Sequence, residues 1–297
     1  MKEQAVVFGA SNHLSGVLCE PERPVSGAPA VLLWNVGIHH KVGAYRIWVD
    51  LARRLARDGY TSLRFDLSGL GDSEARRAGA EDPLHREDLD DAMAFVTRRT
   101  GIATFVPMGF CSGVDQLHAL GLRDARVVGM AYIEAWVWST RGQRLRQPLR
   151  YLRGTFWDQR LERLRRRGAV GILKRLLGGR EEKLAVHPGE AEAAAGARMF
   201  SRQKPSQSDF ARDLGALRAR GVKMFFAYFG LETGFTHAGQ FSEMTGIEPG
   251  EGLHLCFLGG ADHILYRVED RAVVIGELAG WMRTQFPEAS AAGSIAA

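Results

Sequence analysis

The stretch Gly109-Phe110-Cys111-Ser112-Gly113 has the G-x-nucleophile-x-G spacing of a nucleophile elbow, with cysteine at the position that serine more often holds. In such an elbow a strand reverses into a helix within one residue, so the central residue is strained and its side chain projects above the sheet. The residues two positions away must lack side chains, because strand and helix could not otherwise approach each other. The glycines flank Cys111 symmetrically and do not flank Ser112, so the register selects Cys111 as the nucleophile.

The residues on either side of this turn have the patterns that an elbow requires. Residues 102–108 form a short apolar run typical of a strand, and residues 114–120 have the pattern of a helix that ends near Gly121. Pro107 has no N–H to donate to a sheet ladder, so we expect an irregularity in the strand just before the turn. Strand, glycine turn and helix in this order favour the elbow.

The composition is that of an ordinary globular protein, with 45% apolar and 25% charged residues in a chain of 297. That length accommodates one large α/β domain with an insertion. Three widely spaced cysteines (Cys19, Cys111 and Cys256) form neither a disulfide framework nor a zinc spacing. The first residues lack the apolar core of a signal peptide and no stretch approaches the length of a membrane span, so we expect a cytoplasmic protein without a transmembrane segment.

Positive charge is concentrated in one segment of the chain. Residues 139–205 contain 17 Lys and Arg against 6 Asp and Glu, a net charge of +11, whereas the remainder has a net charge of −6. We interpret the segment as an inserted helical cap. Its charge fits a solvated helical face, or recognition of an acidic carrier such as coenzyme A, an acyl carrier protein or an acidic glycan. We expect no nucleic-acid binding, because aromatic residues are not interleaved with the basic ones as stacking platforms.

Strand and helix patterns alternate along the rest of the chain. Strands are predicted at residues 6–8, 15–19, 30–34, 61–65, 102–108, 127–133, 222–229 and 253–258, and helices at residues 45–57, 89–100, 114–120 and 268–286. This alternation predicts an α/β fold with a doubly wound, mostly parallel sheet. The predicted core comprises residues 1–138 and 206–287, and the Ala/Ser/Gly-rich tail at 288–297 is expected to be disordered.

Three motifs in order resemble the α/β-hydrolase superfamily: residues 66–73 after a strand, the cysteine elbow, and residues 260–263 near the C-terminus. The resemblance covers roughly residues 30–138 and 221–286. More closely, residues 35–73 together with the elbow look like the exosortase-A-associated hydrolases, which are linked to bacterial exopolysaccharide and protein-sorting loci. The elbow is also similar to those of polyhydroxyalkanoate synthases, which are acyltransferases, and of dienelactone hydrolases. The resemblance implies an α/β-hydrolase fold with a cap.

The superfamily order of nucleophile, acid and histidine implies two further catalytic residues. His263, in a loop just after the last predicted strand, is the candidate base. Glu232 is the preferred acid, because it follows the strand that ends at Phe229, where the superfamily usually keeps its Asp or Glu. Glu134, which follows the preceding strand, is the alternative acid, and a Cys–His pair without an acid remains open.

An oxyanion hole requires two N–H donors near the nucleophile. One should be the backbone N–H of Ser112, and the other should come from the turn around Gly37 and Ile38. His39 and His40 border that turn, but we expect no metal because no carboxylate cluster accompanies them at ligand spacing. Residues 66–73 lack the Gly-Lys-Ser/Thr of a phosphate loop, so we expect no nucleotide and no other cofactor.

These residues favour a hydrolase that acts on an ester or thioester through a Cys-His-acid triad and a thioacyl-enzyme. An acyltransferase is the second hypothesis, because amines and hydroxyls can attack a thioester intermediate. A catalytically silent scaffold with a hydrolase fold is the third. The expected substrate is a small acyl compound, either free or carried on coenzyme A or an acyl carrier protein.

Overall fold

The computed structural model describes residues 1–35, 37, 39–76, 82, 84–152, 203–231 and 234–288, and only the backbone of residues 147–152. The chain divides into two compact units, one formed by residues 1–138 and 202–297 and the other by residues 139–201.

An eight-stranded sheet forms the centre of the first unit, in the order β1-β2-β4-β3-β5-β6-β7-β8. The strands are β1 (Lys2–Phe8), β2 (Leu14–Glu20), β3 (Ala30–Leu33), β4 (Ser62–Phe65), β5 (Phe105–Phe110), β6 (Gly129–Ile133), β7 (Lys223–Phe229) and β8 (Leu253–Leu258). β1 pairs antiparallel with β2, and β2 pairs antiparallel with β4, whereas all pairs from β4 to β8 are parallel. The predicted mostly parallel, doubly wound sheet is confirmed.

Helices cover both faces of the sheet. In the first unit they are α1 (Ile47–Arg57), α2 (Arg86–Thr100), α3 (Gly113–Arg123), α5 (Gln207–Ala219), α6 (Gln240–Thr245) and α7 (Val268–Gln285). One apolar cluster joins α2, α3 and α5 to alternate strand residues such as Leu32, and the other joins α1 and α7 to the intervening residues such as Leu33. Because both faces are buried, the central parallel strands β3, β5 and β6 contain no charged residue, as expected for such sheets.

The second unit is described over residues 139–152, where helix α4 spans Arg141–Leu152. The cap predicted at residues 139–205 therefore stays a prediction, as does the disordered tail, of which residues 289–297 lie outside the described part of the chain. None of the helices in the described ranges is long and apolar enough to cross a membrane.

Strand β5 has the irregularity expected at Pro107. Phe105 bridges to Val127, whereas Met108 pairs with Ala131. Residues 106–107 of β5 therefore lie opposite residues 128–130, so the adjacent segment has one residue more. This is a bulge on the side of β6, where Pro107 has no N–H to donate. On the side of β3 the register is continuous, with Leu32 opposite Pro107.

Three predicted helix boundaries were wrong by two or three residues, including the start of α2, which lies at Arg86 rather than at residue 89. The helix expected from Tyr45 begins at Ile47, because Tyr45 and Arg46 take positive φ angles of 48° and 66° in a preceding 3-10 turn. The helix expected to end near Gly121 continues to Arg123. Gly121 lies within the helix and has the end of the Met130 side chain packed against it, 2.3 Å from where a Cβ would lie.

Candidate active site

The elbow lies at the carboxyl end of β5, between that strand and α3. Cys111 has a φ of 50°, the left-handed conformation that a non-glycine residue adopts only when its surroundings impose it. A Cβ on Gly109 would lie 2.6 Å from the Gly113 carbonyl oxygen, and one on Gly113 would lie 3.2 Å from the Asn35 carbonyl oxygen. Gly109 is therefore needed for the close approach of the strand and the helix, and a side chain at Gly113 would crowd the backbone at Asn35.

His263 follows β8 and is hydrogen-bonded on both sides of its ring. Its Nδ1 lies 2.8 Å from Glu134 Oε2, and its other nitrogen remains for the hydrogen bond to the Cys111 side chain. The Phe110 ring meets the imidazole edge-on, with centroids 5.8 Å apart. The imidazole thus lies between a thiol and a carboxylate, and its orientation is determined by all three neighbours.

The loop that carries His263 is held by its own Asp262 and by Arg271 of α7. The Asp262 carboxylate accepts hydrogen bonds from the N–H groups of Ile264 and Tyr266, both at 3.1 Å. The Arg271 guanidinium donates to the carbonyl oxygens of Leu265 at 2.6 Å and Tyr266 at 2.8 Å. Asp262, adjacent in sequence to His263, therefore stabilises the loop, and the carboxylate that contacts the imidazole comes from another strand.

That carboxylate belongs to Glu134, which directly follows β6 and is 2% exposed. Its backbone N–H donates to the Ala227 carbonyl oxygen at 2.9 Å, and its φ is 54°. Its Oε1 accepts the Phe229 N–H at 2.6 Å, so both carboxylate oxygens have donors. Glu134 was the alternative acid from the sequence, whereas the preferred Glu232 lies outside the described residues.

The charges around His263 favour its protonated form. The hydrogen bond with Cys111, followed by that with Glu134, raises the pKa of His263 to about 10 against the opposing effect of burial. An imidazolium that persists through neutral pH is the natural counter-ion of a thiolate. Cys19 and Cys256 are instead buried among apolar residues, and this burial raises the pKa of both thiols to about 11.

The turn after β3 lies against the elbow. The Gly37 N–H donates to the Ser112 Oγ at 2.7 Å, while Ile38, the other residue predicted there, lies outside the described residues. Gly37 has a φ of 54°, which glycine adopts without strain. Both predicted oxyanion residues that are described, Ser112 and Gly37, are thus brought into direct contact.

Sequence reasoning missed the residue that holds this turn in place. Asp66, fully buried after β4, accepts hydrogen bonds from Asn35 Nδ2 at 2.7 Å and from the Lys41 N–H at 2.6 Å. Its second oxygen accepts the Lys41 ammonium at 2.7 Å. One carboxylate therefore ties both ends of the turn that contains Gly37. The available signal was that Asp66 follows a predicted strand at the same edge of the sheet.

The expectation of no carboxylates near the paired histidines was wrong. His40, Asp66 and Asp72 place ligand atoms within 4.8 Å of one another, a spacing that suits a metal ion. However, the Lys41 ammonium lies 2.7 Å from Asp66 Oδ2 and 2.6 Å from Asp72 Oδ2. Lys41 therefore already supplies the positive charge between these two carboxylates.

Solved structures with the same chain topology identify the fold. The α/β hydrolase GrgF from Penicillium sp. sh18 matches with a TM-score of 0.56 and 17% identity, over 96% of this chain and 99% of that one. An esterase of Pyrococcus furiosus matches with a TM-score of 0.60 and 9% identity, over 96% and 91% of the two chains. A serine hydrolase without a lid from Xanthomonas campestris matches with a TM-score of 0.53 and 14% identity, over 97% of each chain.

The protein has the α/β-hydrolase fold. No family profile matches the chain, and no curated protein matches it in sequence. In α/β hydrolases the nucleophile, the acid and the histidine follow one another along the chain. Cys111, Glu134 and His263 have this order and are connected by hydrogen bonds at the carboxyl edge of the parallel strands.

Proposed function

We propose that the protein is a hydrolase of esters or thioesters that acts through a thioacyl-enzyme on Cys111. The supporting observation is the hydrogen-bonded series Cys111–His263–Glu134, with the cysteine at a strained elbow and the glutamate fully occupied by donors. The esterases that share the fold make ester chemistry a natural use of such a site. Glu134, rather than Glu232, is the proposed acid.

Acylation begins with the Cys111 thiolate, whose proton resides on His263. The sulfur attacks the acyl carbonyl carbon, a C–S bond forms, and the carbonyl π pair moves to oxygen. The Ser112 N–H donates to the resulting oxyanion, and the turn at Gly37 lies against Ser112. When the tetrahedral intermediate collapses, the alkoxide or thiolate leaving group takes the proton from His263, which leaves an acyl thioester on Cys111 and a neutral imidazole.

Deacylation uses that neutral imidazole as a base. His263 takes a proton from a water molecule while the water oxygen attacks the thioester carbonyl carbon. Collapse of the second intermediate breaks the C–S bond, releases the carboxylic acid and restores the thiolate–imidazolium pair. Throughout the cycle Glu134 keeps the His263 ring oriented and compensates its positive charge, without itself being protonated.

A test follows from the covalent intermediate. The protein is mixed briefly with acetyl, butyryl and octanoyl thioesters of coenzyme A and of N-acetylcysteamine, and intact-mass spectrometry records acyl adducts. We expect an adduct on the wild type that maps to Cys111 and is absent from Cys111→Ala. Cys256→Ala, which removes a buried thiol of raised pKa, is the matched control and should still be acylated. No adduct with any acyl group, together with slow alkylation of Cys111, would indicate the silent scaffold instead.

Acyl transfer is the second candidate, favoured by the likeness of the elbow to those of acyltransferases and by the +11 charge of residues 139–205, which suits the phosphates of a carrier. The same adduct separates the two activities. A hydrolase loses its acyl group in water at the rate of turnover, whereas a transferase retains it until an amine or alcohol is added. A preference for coenzyme A over N-acetylcysteamine with the same acyl group would support recognition of the carrier.

A further inference from the structure

The hydroxyl of Ser112 has an unusual partner for its position. Ser112 is the N-cap residue of α3, with a φ of −62° and a ψ of −27°. A serine at an N-cap commonly accepts a hydrogen bond from an N–H in the first helical turn. Ser112 makes no such bond, and its Oγ instead accepts the Gly37 N–H at 2.7 Å. Its side chain is thus directed across to the turn after β3.

This contact determines which N–H and O–H groups remain available to donate a hydrogen bond to a developing oxyanion. The single proton of the Gly37 N–H is already directed at the Ser112 Oγ. A hydroxyl that accepts one hydrogen bond retains a proton of its own to donate. Within the described part of the chain, no residue accepts the Ser112 hydroxyl proton or its backbone N–H. Two donors of one residue, next to the nucleophile, are therefore available to a ligand.

We propose that the Ser112 hydroxyl is itself an oxyanion donor, paired with the backbone N–H of the same residue and polarised by the Gly37 N–H. This inference rests on the proposed function, since an oxyanion arises only when Cys111 is acylated. A hydroxyl that accepts a hydrogen bond becomes a stronger donor, because successive hydrogen bonds polarise one another. Gly37 then acts as a positioning residue, and the Asp66 bonds to both ends of its turn hold it against Ser112.

If the Ser112 hydroxyl instead only blocks the Gly37 N–H, the same contact predicts a different result. If the hydroxyl only blocked Gly37, the Ser112 side chain would rotate away and leave the Gly37 N–H to bind the oxyanion. Removing the hydroxyl would then accelerate acylation or leave it unchanged. If the hydroxyl donates to the oxyanion, its removal deletes one donor, a loss that typically costs about 10²–10³ in rate.

The experiment compares two reactions of Cys111. Acylation by acetyl-N-acetylcysteamine passes through an oxyanion, whereas alkylation by iodoacetamide does not and reports only on the thiolate. For Ser112→Ala we expect acylation slowed about 100-fold with alkylation nearly unchanged. Ser112→Thr, which keeps a hydroxyl, should recover much of the acylation rate. Ser206→Ala is the matched control, because Ser206 does cap its helix, accepting the Asp209 N–H at 3.0 Å, and should change neither rate.

Each alternative result is decisive. Acylation of Ser112→Ala at the wild-type rate or faster overturns the inference and supports the blocking role. Equal slowing of acylation and alkylation also overturns it, because the hydroxyl would then act on the thiolate. If Ser112→Ala does not fold, failure of Ser112→Thr to acylate faster than Ser112→Gly overturns the inference in the same way. A wild type that is alkylated but never acylated refutes the proposed function, whereas the other results leave it standing.

Discussion

Two histidine–carboxylate pairs in this protein have similar geometry and opposite electrostatics. His263 Nδ1 lies 2.8 Å from Glu134, and His118 Nε2 lies 3.2 Å from Asp213. The pKa of His263 is raised to about 10, whereas burial lowers the pKa of His118 despite the carboxylate beside it. A neighbouring carboxylate alone therefore does not determine the charge of a histidine in this fold.

The second side-chain partner of each ring and the exposure of the ring account for the difference between the two pKa values. The His263 ring is 32% exposed and its other neighbour is the Cys111 thiol, the largest cause of its raised pKa. The His118 ring is 9% exposed and its Nδ1 meets the hydroxyl of Tyr132, a fully buried phenol whose own pKa is raised by desolvation. Because this second partner of His118 is a neutral phenol, burial prevails, and the neutral ring connects α3, β6 and α5.

The largest expected effect is on kcat/KM, and it comes from removing the carboxylate beside His263 but not the one beside His118. Glu134→Gln should lower kcat/KM for an acetyl thioester about 100-fold, because His263 loses orientation and charge compensation. Asp213→Asn should leave kcat/KM within about twofold, since His118 contacts no reacting group. Steady-state kinetics on both variants checks the contrast. Equal losses in the two variants would mean that the acid acts through stability rather than on His263.

A second prediction concerns the causes of the raised pKa of His263. NMR titration of the imidazole resonances should find His263 protonated throughout the neutral range in the wild type. Cys111→Ala should lower its pKa more than Glu134→Gln does, because the thiol contributes more than the carboxylate. The expected change is at least about one unit, a tenfold shift in the equilibrium. The reverse order of the two variants would show that Glu134 is the dominant partner.

The sequence predicts much of the environment of His263 and very little of the environment of His118. Local patterns predict the elbow, because glycines two residues before and two residues after Cys111 permit the close approach of strand and helix. The position of His263 after the elbow along the chain is a second indication. The parallel strands could be predicted for the same reason, since uninterrupted apolar runs such as β7 indicate burial on both faces. His118, in contrast, is a polar residue in a helical pattern, and nothing local indicates that Tyr132 and Asp213 enclose it.

The choice of acid shows where sequence reasoning ends. Both Glu134 and Glu232 follow predicted strands in the sequence, so the predicted topology alone does not choose between them. The decisive contacts are the Phe229 N–H and the His263 ring, which lie 95 and 129 residues away along the chain. Helix α5 was missed although its Ser206-x-x-Asp209 start is a capping pattern, because its apolar face is only three buried residues: Phe210, Leu214 and Leu217.

The third prediction concerns stability rather than rate. Asp213→Asn weakens a largely buried hydrogen bond between α5 and α3, and we expect the free energy of unfolding to fall by about 1–2 kcal/mol. Urea unfolding at neutral pH measures this. The activity of the folded fraction should be unchanged, which distinguishes a structural tie from a catalytic contact. An unaltered unfolding midpoint would mean that solvent replaces the carboxylate without cost.

The last prediction concerns the opposite pH dependence of stability that the two histidine rings produce. The pKa of His118 is lowered by folding, so the unfolded chain binds more protons and stability is lost as pH falls below about 6.5. The pKa of His263 is raised, so its contribution to stability is complete below about pH 6.5 and is lost as pH rises toward about 10.

His118→Asn should therefore flatten only the acid side of the stability profile, by at most about 1.4 kcal/mol per pH unit. Cys111→Ala should flatten only the alkaline side, because His263 then loses the main partner of its charged form. If either variant flattens both sides, the two histidines are coupled through α3, which carries His118 and begins at the elbow.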